Sequence, residues 1–175
     1  MSVRVYISIG SNVDRERHVT VALDALAEAF GNLQLSSVYE SESVGFAGSP
    51  FYNLVAGIDT DMSVGELARD FKALELQHGR LPGALKFSPR TLDLDILLYG
   101  DQVGEVEGVE LPRAEVLTNA FVLQPLAEIA PDLRHPVCGH SYATLWQAYN
   151  TPQRLWPVSF LWRGRQLSAR CAHSS

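Results

Sequence analysis

Hydrophobic and polar positions alternate at the start of the chain. Val3, Val5, Ile7 and Ile9 share one face of an extended segment, because successive strand side chains point to opposite sides. Gly10-Ser11-Asn12 reads as the end of that strand, and the period then becomes helical: Val19, Ala22, Leu23, Leu26 and Phe30 recur three and four residues apart. Gly31 follows as a left-handed C-terminal cap. Residues 33–44 return to a β-like pattern, and after a glycine-bearing loop at 45–50 a third strand runs through Asn53 to about residue 59. Ser63 and Glu66 have the spacing of a capping box, and Leu67, Phe71 and Leu74 form the buried stripe of a second helix ending near Gly79. A strand over 91–99 completes the order β-α-β-β-α-β. This is an α+β pattern, which a ferredoxin-like split βαβ sandwich satisfies with its helices on one sheet face. Further on, the pattern predicts a turn at Gly100-Asp101, a short strand near Val109, a helix over 121–129 and an alternating stretch within 155–167 that adds an edge strand.

Composition narrows the class. The 175 residues fit one domain, with about 136–175 as a C-terminal extension. Apolar residues at 46% and charged residues at 19% suit a soluble globular chain. Nowhere do about eighteen consecutive apolar residues occur, and Arg4 interrupts the segment where an export signal needs an unbroken apolar run. A net charge of −6 opposes binding to a polyphosphate backbone, so nucleic acid is not an expected partner. Cys138 and Cys171, far apart in sequence, form no disulfide framework and suit a reducing cytoplasm. His135, Cys138 and His140 lack a visible fourth metal ligand, and Pro136 between them suits a loop. His18 and His78 read as polar helix residues rather than catalytic bases.

The chemistry concentrates on the fourth strand. Leu92, Leu94 and Ile96 point one way and Asp93 and Asp95 the other. Two carboxylates about 6 to 7 Å apart on one strand face repel each other unless a cation sits beside them. Hard oxygen donors of this kind favour magnesium, which keeps several waters and takes one or two carboxylates plus substrate phosphates. An isolated pair of this spacing more often reads as an exposed face whose aspartates pair with lysine or arginine, so the wider sequence has to decide.

That wider sequence is Gly79-Arg80, then Pro89-Arg90-Thr91-Leu92-Asp93-Leu94-Asp95-Ile96-Leu97. It resembles the signature of the 6-hydroxymethyl-7,8-dihydropterin pyrophosphokinases. The likeness extends from Gly10-Ser11-Asn12 through Tyr52-Asn53 and Glu75 to the run from Phe121 to Pro131, nearly all of the first 135 residues. The resemblance implies an enzyme of folate biosynthesis that transfers pyrophosphate from ATP to the pterin hydroxymethyl group and releases AMP. It also implies two magnesium ions, held by Asp93 and Asp95. Arg80 and Arg90 join those acids as catalytic positions; Glu75, Arg80, Lys86, Arg90, Ile96 and Arg113 fall on the ATP side. Val44, Gly45, Phe51, Asn53, Phe87 and Phe121 fall on the pterin side, Asn53 as the amide at the heterocycle edge and Phe121 as one wall of an aromatic sandwich. The implied partners are these small molecules, acting on a monomer.

The chain departs from the family pattern on the ATP side. Pro82 stands where an arginine is expected, Phe87 where a tryptophan is expected, Arg113 in place of a histidine and Asn119 in place of a frequent arginine. Arg113 supplies a permanent cation but no titrating imidazole. The segment 81–88 corresponds to the family's loop over ATP. Two other readings stay open at this stage: a pterin-binding paralogue with weakened catalysis, and an RNA-recognition domain, which shares the strand order but carries a basic, aromatic sheet face.

Overall fold

The computed structural model describes residues 2–41, 50–77, 92–150, 153 and 155–168. Strands β1 (Val3–Ser11), β2 (Gln34–Leu35), β3 (Val38–Ser41), β4 (Phe51–Thr60) and β5 (Asp93–Tyr99) alternate with helices α1 (Arg15–Phe30) and α2 (Val64–Gln77). Then come a hairpin of β6 (Gly104–Val106) and β7 (Val109–Leu111), helices α3 (Glu115–Thr118), α4 (Ala120–Ile129) and α5 (Tyr142–Ala148), and the short strands β8 (Leu155–Val158), β9 (Leu161–Trp162) and β10 (Arg165–Gln166). The main sheet runs β5-β1-β4-β3-β8, with β2 also on β4, and every pairing is antiparallel. The protein is thus a mixed α/β fold on an antiparallel sheet.

Several local choices follow directly from the sequence. Ser63 and Glu66 form the reciprocal capping box, with Glu66 Oε1 accepting from Ser63 N at 2.9 Å and Ser63 Oγ accepting from Glu66 N at 3.2 Å. Gly31 closes α1 at φ 80°, its N–H on the Ala27 carbonyl, although ψ of −126° lies outside the left-handed helical region. The β-like stretch after residue 33 is two strands rather than one. Ser36 breaks it by taking the Val55 N–H onto its own hydroxyl at 2.9 Å. β1 continues through Gly10 to Ser11, because β4 pairs with it over its full length.

The sheet is covered on both faces, which corrects the expectation of helices on one face only. On the first face Val5, Ile7, Ile9, Leu54 and Ile58 pack with Val19, Leu23 and Leu26 of α1 and Leu67 and Phe71 of α2. On the second, Tyr6, Val55, Leu97 and Leu98 pack with Val122, Leu123 and Leu126 of α4 and Tyr142 of α5. A register shift opposite Tyr6 and Ile7 lets the consecutive Leu97 and Leu98 both be buried, and this apolar end of the second face needs its own cover. Among the described residues no helix is long and apolar enough to cross a membrane.

Candidate active site

The second face is apolar at one end and polar at the other. Along β5, Leu94 and Ile96 are buried toward α1 and α2, while Asp93 and Asp95 alternate with them and stay partly exposed on the second face. Register carries two rows across the sheet. Asp93 lies opposite Gly10, Gly10 opposite Asn53, and Asn53 opposite Tyr39; one step along, Asp95 lies opposite Ser8 and Ser8 opposite Val55. Directly opposed residues share a face. The acids and the amide therefore look onto one surface, with only Gly10 and Ser8 on the strand between them.

The residues at its centre, Gly10 and Ser8, are small and buried. A Cβ on Gly10 would stand 2.8 Å from Asn53 Oδ1, so the amide lies over the glycine. Asn53 is buried at 5% exposure, and its Nδ2 donates to Ser41 Oγ at 3.1 Å. This bond fixes which end of the amide faces β1, leaving a preset acceptor above Gly10. Phe51, two residues earlier on β4, is on the same face and half-buried. Phe121, in the first turn of α4, packs from above against the cluster that holds Val55 and Leu97. Pro125 has no N–H to bond the Phe121 carbonyl, so that turn is held more by packing than by the helical ladder.

Arg113 brings a cation to Asp95. Its backbone N–H bonds the Leu97 carbonyl at 3.0 Å, Nε donates to Glu115 Oε1 at 3.0 Å, and Nη2 stands 3.7 Å from Asp95 Oδ1. Both Arg113 and Asp95 keep about a third of their side-chain surface exposed, 35% and 33%. Asn119 precedes α4 and makes no side-chain cap; its carbonyl accepts from Val122 and Leu123. Among the described residues no group of three or more acidic, histidine or cysteine side chains could enclose a metal.

Other sequence-predicted residues have different surroundings. Glu75 is buried at 8% exposure, and Oε2 accepts the Leu94 N–H at 2.8 Å, capping the outer edge of β5 directly behind the acids. Ile96 is sealed in the core on the opposite face, leaving only its backbone for a nucleotide. Val44, Gly45, Arg80, Pro82, Lys86, Phe87, Arg90 and His78 lie outside the described residues. His135 Nδ1 accepts from Val137 N at 3.1 Å and Cys138 N at 3.3 Å, and burial lowers its pKa. His18 is more deeply buried than its helix position suggests, with Nδ1 2.7 Å from the Val13 carbonyl. What the pattern of residue types missed is the pair Gly10 and Ser8 as the floor between the acids and the amide, a role visible only in the register.

A partly exposed acidic strand face with an adjoining arginine, a buried oriented amide and phenylalanines at positions 51 and 121 fits a class, a transferase of phosphoryl groups on an α/β fold. Comparison with known proteins makes the class specific. The chain belongs to the 7,8-dihydro-6-hydroxymethylpterin-pyrophosphokinase family, whose sequence model matches residues 6–131. It is 42% identical over 141 residues to the 2-amino-4-hydroxy-6-hydroxymethyldihydropteridine pyrophosphokinase of Pseudomonas aeruginosa, covering 78% of this chain and 86% of that one. Against the enzyme of the same name from Aquifex aeolicus, identity is 36% over 135 residues, covering 76% and 84%. Among solved structures, Plasmodium falciparum HPPK-DHPS with pteroate superposes with a TM-score of 0.64 at 12% identity, covering 84% of this chain and 42% of that longer one. That likeness carries the fold alone. The chain is therefore a pyrophosphokinase.

Proposed function

We propose that the second sheet face is the catalytic surface, with Asp93 and Asp95 holding magnesium, Asn53 and Phe121 the pterin, and Arg113 the phosphates. The reaction is transfer of pyrophosphate from ATP to 6-hydroxymethyl-7,8-dihydropterin, giving AMP and the pterin diphosphate in folate biosynthesis. The observation that supports the placement is the row Asp93, Gly10, Asn53, which puts a carboxylate and an amide on one surface with only a glycine between them.

In this transfer the hydroxymethyl oxygen forms a bond to the β-phosphorus, the bond from that phosphorus to the AMP oxygen breaks, and the hydroxyl proton passes to solvent. No covalent enzyme intermediate is needed. Catalysis rests on position and charge. Magnesium supplies neutralisation of the phosphate oxygens when bound. The residues of the chain do the rest. Asn53 accepts from the heterocycle edge with Oδ1, Phe121 and Phe51 exclude water around the ring, and Gly10 allows the ring to approach the strand. Arg113, already oriented by Glu115 and the Leu97 carbonyl, faces a phosphate from beside Asp95. Arg80, Arg90 and Lys86 add cations and Glu75 and the Ile96 backbone border the nucleotide, while Val44, Gly45 and Phe87 complete the pterin side.

The strand order β5-β1-β4-β3 with two crossover helices supports a ferredoxin-like core extended by α4, α5 and β8. We read the chain as one domain acting as a cytoplasmic monomer, without nucleic-acid partners, in keeping with its charge of −6. The test is AMP release from ATP, magnesium and the reduced hydroxymethyl pterin. Asp93→Asn and Asp95→Asn should each lower the rate about 10²- to 10³-fold, and chelation should abolish it. Calorimetric pterin binding should survive in both variants. Wild-type rates in either variant would remove the metal from this face.

A further inference from the structure

The segment beyond the family-matched residues returns to the sheet on the site's side. β8 pairs with β3, placing Trp156 opposite Glu40 and Leu155 opposite Ser41, and Ser168 Oγ accepts the buried Val38 N–H at 2.8 Å. Trp156 Nε1 donates to Glu40 Oε1 at 2.8 Å. The other oxygen of Glu40 meets Arg15 Nη1 at 2.6 Å, and the same Nη1 donates to the Pro50 carbonyl at 3.0 Å. The Arg15 guanidinium lies 4.0 Å over the Tyr52 ring, whose other contact is the edge of Phe160, also in the extension, at 6.2 Å. Trp156, Glu40 and Tyr52 thus form one row on the first face, and their neighbours Ser41 and Asn53 face the second.

We infer that this C-terminal extension is a positioning device for the pterin side of the site, acting through the relay Trp156, Glu40, Arg15 and Tyr52. The relay fixes the β3–β4 pair at the place where Ser41 orients the Asn53 amide. A strand pair held on one face cannot shift its register or twist without moving the residue of the other face. Glu40 is the hub, because each of its oxygens serves a different partner, one in the extension and one in α1. The relay ends on the β3–β4 pair beside Asn53, so its influence falls on the pterin half.

The inference rests on the placement of the pterin at Asn53, and the experiment separates the two. Trp156→Phe keeps an aromatic ring and deletes the indole N–H; Arg15→Lys keeps the charge and loses the flat stack on Tyr52. Each should weaken calorimetric pterin binding and raise the pterin KM about fivefold, the worth of one charge-assisted hydrogen bond at a half-exposed site, while the ATP KM and saturated rate hold. Trp162→Phe is the control. It deletes a matching indole bond, to Asp24 Oδ1 at 2.9 Å, in the same extension but away from β3. A general loss of packing would affect Trp162→Phe and Trp156→Phe alike, so equal pterin defects in the two overturn the inference, as does unchanged pterin affinity in Trp156→Phe. Asn53→Ala in parallel reports on the placement: normal pterin binding there refutes the site, whereas weak binding there with normal Trp156→Phe refutes the relay alone.

Discussion

Gly10→Ala tests the site floor with a single methyl. Gly10 does not have a positive φ, so alanine fits its backbone and the effect isolates the added carbon. That carbon would lie 2.8 Å from Asn53 Oδ1, where ordinary contact begins at 3.4 Å, so the amide has to retreat by about 0.6 Å. Retreat is resisted, because Asn53 is 5% exposed and Nδ2 is engaged by Ser41 at 3.1 Å. Straining that bond and overpacking the row together cost about 1 to 3 kcal/mol of stability. Pterin affinity should fall about tenfold, the usual order for a displaced heterocycle contact, with ATP affinity unchanged. Urea unfolding and calorimetry with the hydroxymethyl pterin give both numbers. A double-mutant cycle sharpens the result: in an Asn53→Ala background the added methyl meets no amide, and the stability cost of Gly10→Ala should largely vanish. Full additivity of the two changes, or wild-type pterin binding by Gly10→Ala, would refute the crowded row.

Two other expectations concern charge. Arg113→Ala should raise the ATP KM about tenfold, as expected for loss of one charge-assisted phosphate contact, and leave pterin binding intact; steady-state kinetics with each substrate varied checks the split. Stability should have a flat middle and two falling limbs in urea titrations across pH. Burial lowers the His135 pKa below 6.5, so the neutral ring favours the fold above that value and its contribution is lost as pH falls below it. Burial raises the Tyr39 and Tyr142 phenols above 10, Tyr39 further by the neighbouring Glu128 carboxylate, so their protonated forms favour the fold up to about pH 10 and the contribution is lost as pH rises beyond it. His135→Asn should flatten the acid limb and Tyr142→Phe the alkaline one.

How much of this was legible in the sequence depends on the range of the interaction. The period of two that put Asp93 and Asp95 on one face and Leu94 and Ile96 on the other is local, and it holds in β5. The capping box at Ser63 and Glu66 is equally local and equally visible. The break at Ser36 was hidden because a hydroxyl replaced a ladder partner nineteen residues away, at Val55. Cover on the second face was hidden for a related reason. Leu97 and Leu98 are adjacent, so strict alternation would expose one of them; the register shift buries both, and only α4 and α5 make that favourable. The C-terminal tryptophans read correctly as packing residues with an edge strand, but Asp24 and Glu40, their hydrogen-bond partners, lie 138 and 116 residues away in sequence.

The site divides along the same line. The proposed acids, Asp93 and Asp95, come from residue types at a spacing, and the proposed Asn53 amide and Phe121 ring only from resemblance to a family. The floor was legible in neither way, since what Gly10 contributes is an absence of atoms that matters only once Asn53 and Asp93 are known to flank it. Arg113 is the converse case. Its sequence position marks it as a departure from a histidine, but the chain has to return through β6 and β7 before the guanidinium stands 3.7 Å from Asp95. A permanent cation there cannot release its charge near neutral pH. On the proposed reading the arginine both attracts phosphate and pairs with Asp95, and these two roles would oppose each other until magnesium took Asp95. Arg113→His should separate them: little change in ATP binding without magnesium, when Asp95 already engages the guanidinium, and weaker binding with it. Equal weakening in both conditions would mean that Arg113 serves phosphate alone and that its approach to Asp95 has no bearing on the metal.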